Sequence, residues 1–445
     1  MESLVRYVWK HRLFPLAELK TTDGLPIEVI QPGLENRSDG PDFFNAKVKI
    51  GDTLWVGNVE IHTRTSEWHQ HGHHTNVRYD SVVLHVAETV DEPLTRTDGT
   101  PIPQLELKVP PHIAANYEQL RQADHYPPCH RVIPALSALT IHSFLSSLLC
   151  ERLEQRAALI VQRYEAHDKN WDDALFSTLA RNFGFGTNGD AFDEGARRID
   201  CRAVDKHADN LLQVEAIFFG QAGLLADEAV PEYYWADLAS DEYYQSLCRE
   251  YRFLAHKFGF TPMSHTLWRH LGMRPANFPH VRLAQLAMLY HQRRISVSKL
   301  LAAPDRKAIT ALLDVCASEY WDTHYVFGST TSTPMKRRIT DNAVTLLLIN
   351  SVAPFYYSYG RRKDDERYCE QAVLLLEQLK AENNYIIRNW IDCGLLVKNA
   401  ADSHALIQLK KQYCDRRDCL RCRIGYEFLK KEYGIKENAD EKGIS

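Results

Sequence analysis

Between Phe44 and Ile50 apolar and polar side chains alternate. Phe44, Ala46, Val48 and Ile50 fall on one face, and Asn45, Lys47 and Lys49 on the other. This is the period of a half-buried strand. Gly51-Asp52-Thr53 predicts a hairpin turn. Leu54 to Thr63 reads as the return strand, with Val56, Asn58, Glu60 and His62 on one side and Trp55, Val59 and Ile61 on the other. Val82 to Val86, carrying His85, is a third and more continuously apolar strand. Leu25–Ile30 and Leu105–Val109 predict shorter strands, and Glu2–Leu13 a helix with Leu4, Val5, Val8, Trp9 and Leu13 on one side. From Ser137 onward the period changes to 3.6: Ile141, Phe144, Leu145, Leu148, Leu149 and Leu153 form one stripe. Further helices are expected over 172–183, 211–219, 241–258, 281–292, 306–316, 339–350, 367–380 and 403–413. The glycine-rich run from Phe183 to Gly189 lacks the Lys-Ser/Thr of a phosphate loop, so it predicts a helix C-cap followed by an Asn or Asp cap. The fold class is therefore α+β. A β-containing domain over 1–110 precedes a mostly helical region over 111–435, and 436–445 reads as a polar, disordered tail.

Composition changes this picture little. The 445 residues carry a net charge of -5, and ten cysteines are scattered along the chain. No run of eighteen apolar residues predicts a membrane span, and the first residues lack the pattern of a signal peptide, so reduced thiols and a cytoplasmic location are expected. Charge is uneven: residues 1–110 hold eleven Lys and Arg against sixteen Asp and Glu. That balance suits cation binding better than unaided grip on a phosphate backbone.

The chemistry concentrates in the same stretch. Asp42 precedes the first strand, and Glu60 and His62 share a face of the next. With the intervening Ile61 carbonyl they would offer an oxygen-rich pocket for Mg²⁺ or Mn²⁺, with His62 orienting the attacking water. A run of His69, His71, His73 and His74, near His62 and His85, offers a second possibility, a transition-metal site. Without a recognised ligand spacing, a solvated loop is the plainer expectation for that run, and a turn-forming Asp42 beside a paired Glu60 is the inert alternative.

Pro41-Asp42, seventeen residues, and then Glu60-Ile61-His62 resembles the PD-(D/E)xK nuclease signature with His in place of Lys. The resemblance covers roughly the first 110 residues. It implies a restriction-endonuclease-like αβββαβ core and hydrolysis of DNA or RNA, with Asp42, Glu60 and His62 catalytic and the two carboxylates holding the metal. The neutral imidazole cannot supply the permanent charge of the usual Lys. A second resemblance spans nearly the whole chain. The stretches GPDFFNAKVKI, WVGNVEIH, FGQAGLL, MRPANFPHVRLAQLA, LINSVAPFYYSYG and YCDRRDCLRC are similar to those of an uncharacterised bacterial family of unknown function, DUF2851. It implies that the front domain and the helical region form one architecture, and no activity.

Two further sets stand outside that stretch. Cys414, Cys419 and Cys422 give C-x₄-C-x₂-C, the spacing of the first three ligands of plant-type [2Fe–2S] ferredoxins. No cysteine follows, so a fourth ligand for zinc or an iron–sulfur cluster has to come from upstream, from Cys393, Cys129 or a histidine. Arg274, Arg282, Arg293 and Arg294 are candidates for a phosphate-contacting groove, against the alternative of solvated charge. The function expected is a metal-dependent nuclease. Its rivals are a non-catalytic nucleic-acid- or protein-binding scaffold with a structural metal, and a His-ligated metal enzyme acting on a small molecule. No membrane partner is expected.

Overall fold

The structure, a computed structural model, describes residues 2–15, 19–36 and 38–432. The tail expected over 436–445 lies outside the described residues. A helix, α1 (Glu2–His11), leads into β1 (Ile27–Gln31), β2 (Leu34–Glu35), β3 (Phe43–Ile50) and β4 (Thr53–Arg64). After a crossover containing the short helix α2 (Glu67–Gln70) come β5 (Val82–Thr89) and β6 (Gln104–Glu106). The sheet order is β1-β3-β4-β5-β6, with β2 also on β3. β1, β3 and β4 are antiparallel neighbours, whereas β4, β5 and β6 are parallel. The hairpin at Gly51-Asp52 explains the β3–β4 pairing, and the seventeen residues between β4 and β5 allow the parallel one.

Strand burial follows the alternation, with one correction. Phe43, not Phe44, points inward with Ala46, Val48 and Ile50. The cause is a bulge: the β3–β4 register slips between Phe43 and Ala46, and Asn45 sits at φ +53°. The extra residue turns the strand's start over. It also brings Gly33, at φ +96°, so close that a Cβ would lie 2.8 Å from the Phe44 carbonyl oxygen. The bulge lies immediately after Asp42, so it sets where that residue is presented. β4 alternates only weakly at its start and is buried on both faces from Val59 to His62.

The compact units do not follow the expected boundary at residue 110. One unit holds Met1–Ile141 together with Arg388–Leu395 and the chain from Leu409 on; the other holds His142–Ile387 and Leu396–Gln408. In the first unit α3 (Pro111–Gln122) receives the C-terminal segment. Asn116 Nδ2 donates to the Leu429 and Lys431 carbonyls at 3.1 and 2.8 Å, and Arg417 donates to the Leu120 and Ala123 carbonyls at 3.1 and 2.8 Å. Each side chain thereby serves the orphan carbonyls of a helix end.

The second unit is helical among its described residues apart from a two-stranded ribbon, His324–Val326 with Ser329–Thr330. Its long helices include Trp171–Phe183, Leu211–Gln221, Glu242–Phe258, Pro279–His291 and Glu366–Gln378. The helix expected over 339–350 is Asp341–Leu347; it passes through a π-helical turn, Leu348–Val352, into Ala353–Lys363. Pro354 would clash with a carbonyl one tight turn back, and the wider π turn relieves that clash. Among the described residues no helix is long and apolar enough to cross a membrane.

Candidate metal centre

Glu60 and His62 lie two residues apart on β4 and so share a face. The parallel register sets His85 of β5 opposite Glu60, on that same face. The crossover then folds over it. Its hydrophobic anchor is Trp68, fully buried with Tyr79, Val82, Leu94 and Ile102. The Trp68 ring meets His73, Tyr79 and His85 edge-on, at centroid separations of 5.3, 5.7 and 5.7 Å. Tyr79 stacks on His73 at 3.8 Å. This aromatic wall turns His73 toward β4, and His71 packs beside His62 and His73.

Three imidazoles meet there, with the Glu60 carboxylate against two of them. His62 Nε2 lies 3.5 Å from Glu60 Oε1 and 3.2 Å from His71 Nδ1. His73 Nε2 lies 3.4 Å from the same Glu60 oxygen. One ligand atom from each of His62, His71 and His73 falls within 4.8 Å of the other two. Two ligands of one tetrahedral ion at about 2.0–2.1 Å stand roughly 3.4 Å apart, close to these three contacts; the atoms that all lie within 4.8 Å of one another are those of the three histidines and leave out Glu60. His62 and Glu60 are buried, His73 is half-buried and His71 is exposed. The centre thus opens to solvent on the His71 side.

The histidine run divides. His71 and His73 turn inward, whereas His69 binds Glu92 and packs against His74 at 4.8 Å, away from the centre. Behind the centre, His62 Nδ1 and His85 Nε2 are 2.8 Å apart, which leaves His62 Nε2 for Glu60 and His71. Burial, then the neighbouring imidazoles, push the His62 pKa down to about 2, and burial pushes His85 down to about 3. Both rings are therefore neutral, the form that ligates metals. His85 fixes the ring of His62, as the outer partner of a ligating His62 would. His85→Ala is expected to weaken divalent-ion binding by about 10–100-fold. Isothermal titration with Zn²⁺ and Mn²⁺ checks this; an unchanged affinity would remove His85 from that role.

Asp42 joins the group through the backbone. Its N–H donates to Glu60 Oε2 at 2.9 Å, and the Ile61 N–H donates to Asp42 Oδ2 at 3.1 Å. Asp42 Oδ1 pairs with Arg6 of α1 at 2.6 Å. Burial, and then the charge of Glu60, raise the Asp42 pKa well above the carboxylate range, against the pull of Arg6. Two buried carboxylates this close are poorly compensated by one guanidinium. Asp42, Glu60 and His62 are thus brought together as their sequence pattern suggests. However, the Glu60 oxygen left free of Asp42 faces histidines. His71, His73 and His85 belong to the constellation, and Arg6 is the cation beside it. The run of histidines was the signal for two of these; nothing local marks Arg6.

Of the four arginines singled out, one is withdrawn from the surface. Arg282 is buried, stacks over Phe185 at 4.5 Å and bonds Gln285 and Asn277 at 2.9 and 2.5 Å, so it does not line a phosphate groove. Helix Pro279–His291 is buried nearly all round, which turns that residue inward. Arg293 and Arg294 donate to the Asp205 and Ala311 carbonyls at 3.1 and 2.9 Å. Arg274 is exposed, just before a 3₁₀ turn.

The comparisons with known proteins agree with the longer of the two resemblances. No curated protein and no solved structure matches the chain. A family model described as protein of unknown function (DUF2851) matches residues 2–385, which includes Glu60, His62, His71, His73 and His85 and stops before Cys414. The chain belongs to the DUF2851 family.

Proposed function

We propose that the first unit is a metal-dependent phosphodiesterase acting on nucleic acid, with its ion held by Glu60, His62, His71 and His73. The observation that carries the reading is the convergence of Glu60 Oε1 with the ring nitrogens of His62 and His73 at 3.4–3.5 Å, with His71 beside His62 on the solvent side. A set rich in imidazole favours Zn²⁺ or Fe²⁺ over Mg²⁺, while the Glu60 carboxylate also suits Mn²⁺. Such an ion would supply Lewis acidity and a lowered water pKa.

The nuclease assignment rests on order and placement. Helix, three antiparallel-connected strands, a crossover and a parallel strand follow the αβββαβ sequence, with Pro41-Asp42 entering β3 and Glu60-Ile61-His62 on β4. Arg6 gives the permanent positive charge that a neutral His62 lacks, and it holds Asp42 in place. Asp42 in turn fixes Glu60 and the Ile61 backbone, so it acts as a positioning residue for the ligand set.

Asp42→Asn, nearly isosteric, is expected to cut hydrolysis of single- and double-stranded DNA and RNA by about 10–100-fold, the range for outer partners of metal ligands. Divalent-ion binding should weaken less than in a ligand variant. Unchanged cleavage in Mn²⁺ and Zn²⁺ would reject this role. Ion binding by the parent protein without cleavage of any nucleic acid would reject the substrate class.

A further inference from the structure

The C-terminal cysteines lie in the first unit, away from the constellation on β4 in sequence and in local structure. Cys414 ends a π-helical turn, Lys410–Cys414, and Cys419 starts a 3₁₀ turn that closes on Cys422, whose N–H donates to the Cys419 carbonyl at 3.2 Å. The Ile424 and Gly425 N–H groups both bond to the Cys422 sulfur. The turn is tight enough that a Cβ on Gly425 would lie 2.2 Å from the Cys419 oxygen. Burial pushes the Cys422 thiol up to about 12, against the pull of these two amides, so a bound cation is what would make it a thiolate.

Cys129 supplies what the triplet lacks. It leads into the 3₁₀ segment His130–Ala135, which packs against the helix Arg423–Leu429 capped by Cys422. Cys129 lies within electrostatic reach of Cys422, Cys414 and Cys419, and is buried. Cys393 has no such neighbours among the groups that act on it. Arg417, between Cys414 and Cys419, caps α3 just upstream of Cys129, so the two chain segments are joined on both sides of the four sulfurs.

The spacing bears on what they hold. Among the described residues, no three cysteine sulfurs lie within 4.8 Å of one another, whereas the three histidines on the other centre do. One zinc ion at about 2.3 Å from each sulfur would set them about 3.8 Å apart. A cluster of several irons holds its four thiolates around a larger body.

We propose that Cys129, Cys414, Cys419 and Cys422 ligate an iron–sulfur cluster that clasps the C-terminal segment to the first unit. Four thiols gathered together, two of them buried, otherwise gain nothing from their proximity, while four thiolates repel until a cationic cluster neutralises them. Closing a loop of nearly three hundred residues at Cys129 removes chain entropy from the unfolded state.

The test is metal analysis of the full chain expressed with iron and purified without oxygen. Iron together with acid-labile sulfide and a broad visible absorption are expected. Cys129→Ala and Cys422→Ala should each lose the absorption and the iron, and Cys393→Ala should keep both. Should the ligand variants fail to fold, the parent protein still decides. Stoichiometric zinc without iron overturns the cluster, and a folded, metal-free protein with four freely alkylated thiols overturns the centre altogether. Retention of iron by Cys129→Ala with loss in Cys393→Ala would assign the fourth ligand to the other cysteine.

Discussion

His62→Gln is expected to abolish binding of the divalent ion at the histidine centre and to lower hydrolysis by more than about 100-fold, beyond the range seen for outer partners of a ligand. The substitution keeps most of the ring's volume in a position that is 1% exposed, so the fold should survive. His62 has the central place in the group: its Nε2 approaches both Glu60 and His71, and its Nδ1 is held by His85. His73→Gln, at the other side of Glu60, should behave alike. The two variants can be compared by ion titration and by initial rates in the same buffer. If either retains full affinity, its imidazole is packing against Glu60 without holding an ion.

The second large effect concerns the wall behind the centre. Trp68→Ala is expected to destabilise the first unit by about 3–5 kcal/mol, the usual cost of emptying a fully buried aromatic site. For a unit of this size that corresponds to roughly 10 °C in melting temperature. Trp68 is 0% exposed and touches both His73 and His85, so the cavity would also release the two rings that it orients. Ion affinity should therefore fall together with stability, although Trp68 is no ligand. Calorimetry of Trp68→Ala beside Trp68→Phe separates the terms. A melting shift of a degree or two would show that the crossover is held elsewhere.

What could be read from the sequence was whatever depends on short periods. The alternation over 44–50 and the 3.6-residue stripe after Ser137 located the strands and most helices to within a few residues, because each element buries one face. The bulge at Asn45 escaped because a positive φ in an asparagine leaves no pattern in polarity. The boundary at residue 110 gave way because the C-terminal segment returns to α3 through single side chains, Asn116 and Arg417, whose partners are backbone carbonyls hundreds of residues away. The same limit applies at the centre. Glu60 and His62 were linked by their two-residue spacing, whereas Arg6 reaches Asp42 from another element. The solvated loop that seemed the plainer reading for His69–His74 holds for His69, which binds Glu92, but not for His73, which Trp68 and Tyr79 turn inward. Arg282 was mistaken for a surface charge because the helix around it is apolar on nearly every side, a feature that periodicity alone cannot assign to one face.

The most direct measurement is anomalous diffraction from crystals of the full chain grown with Zn²⁺ or Mn²⁺. The account predicts one peak bounded by Glu60, His62, His71 and His73, with ligand distances of about 2.0–2.2 Å. A peak between Asp42 and Glu60 that leaves the imidazoles unligated, or no peak on β4 at saturating ion, would contradict it.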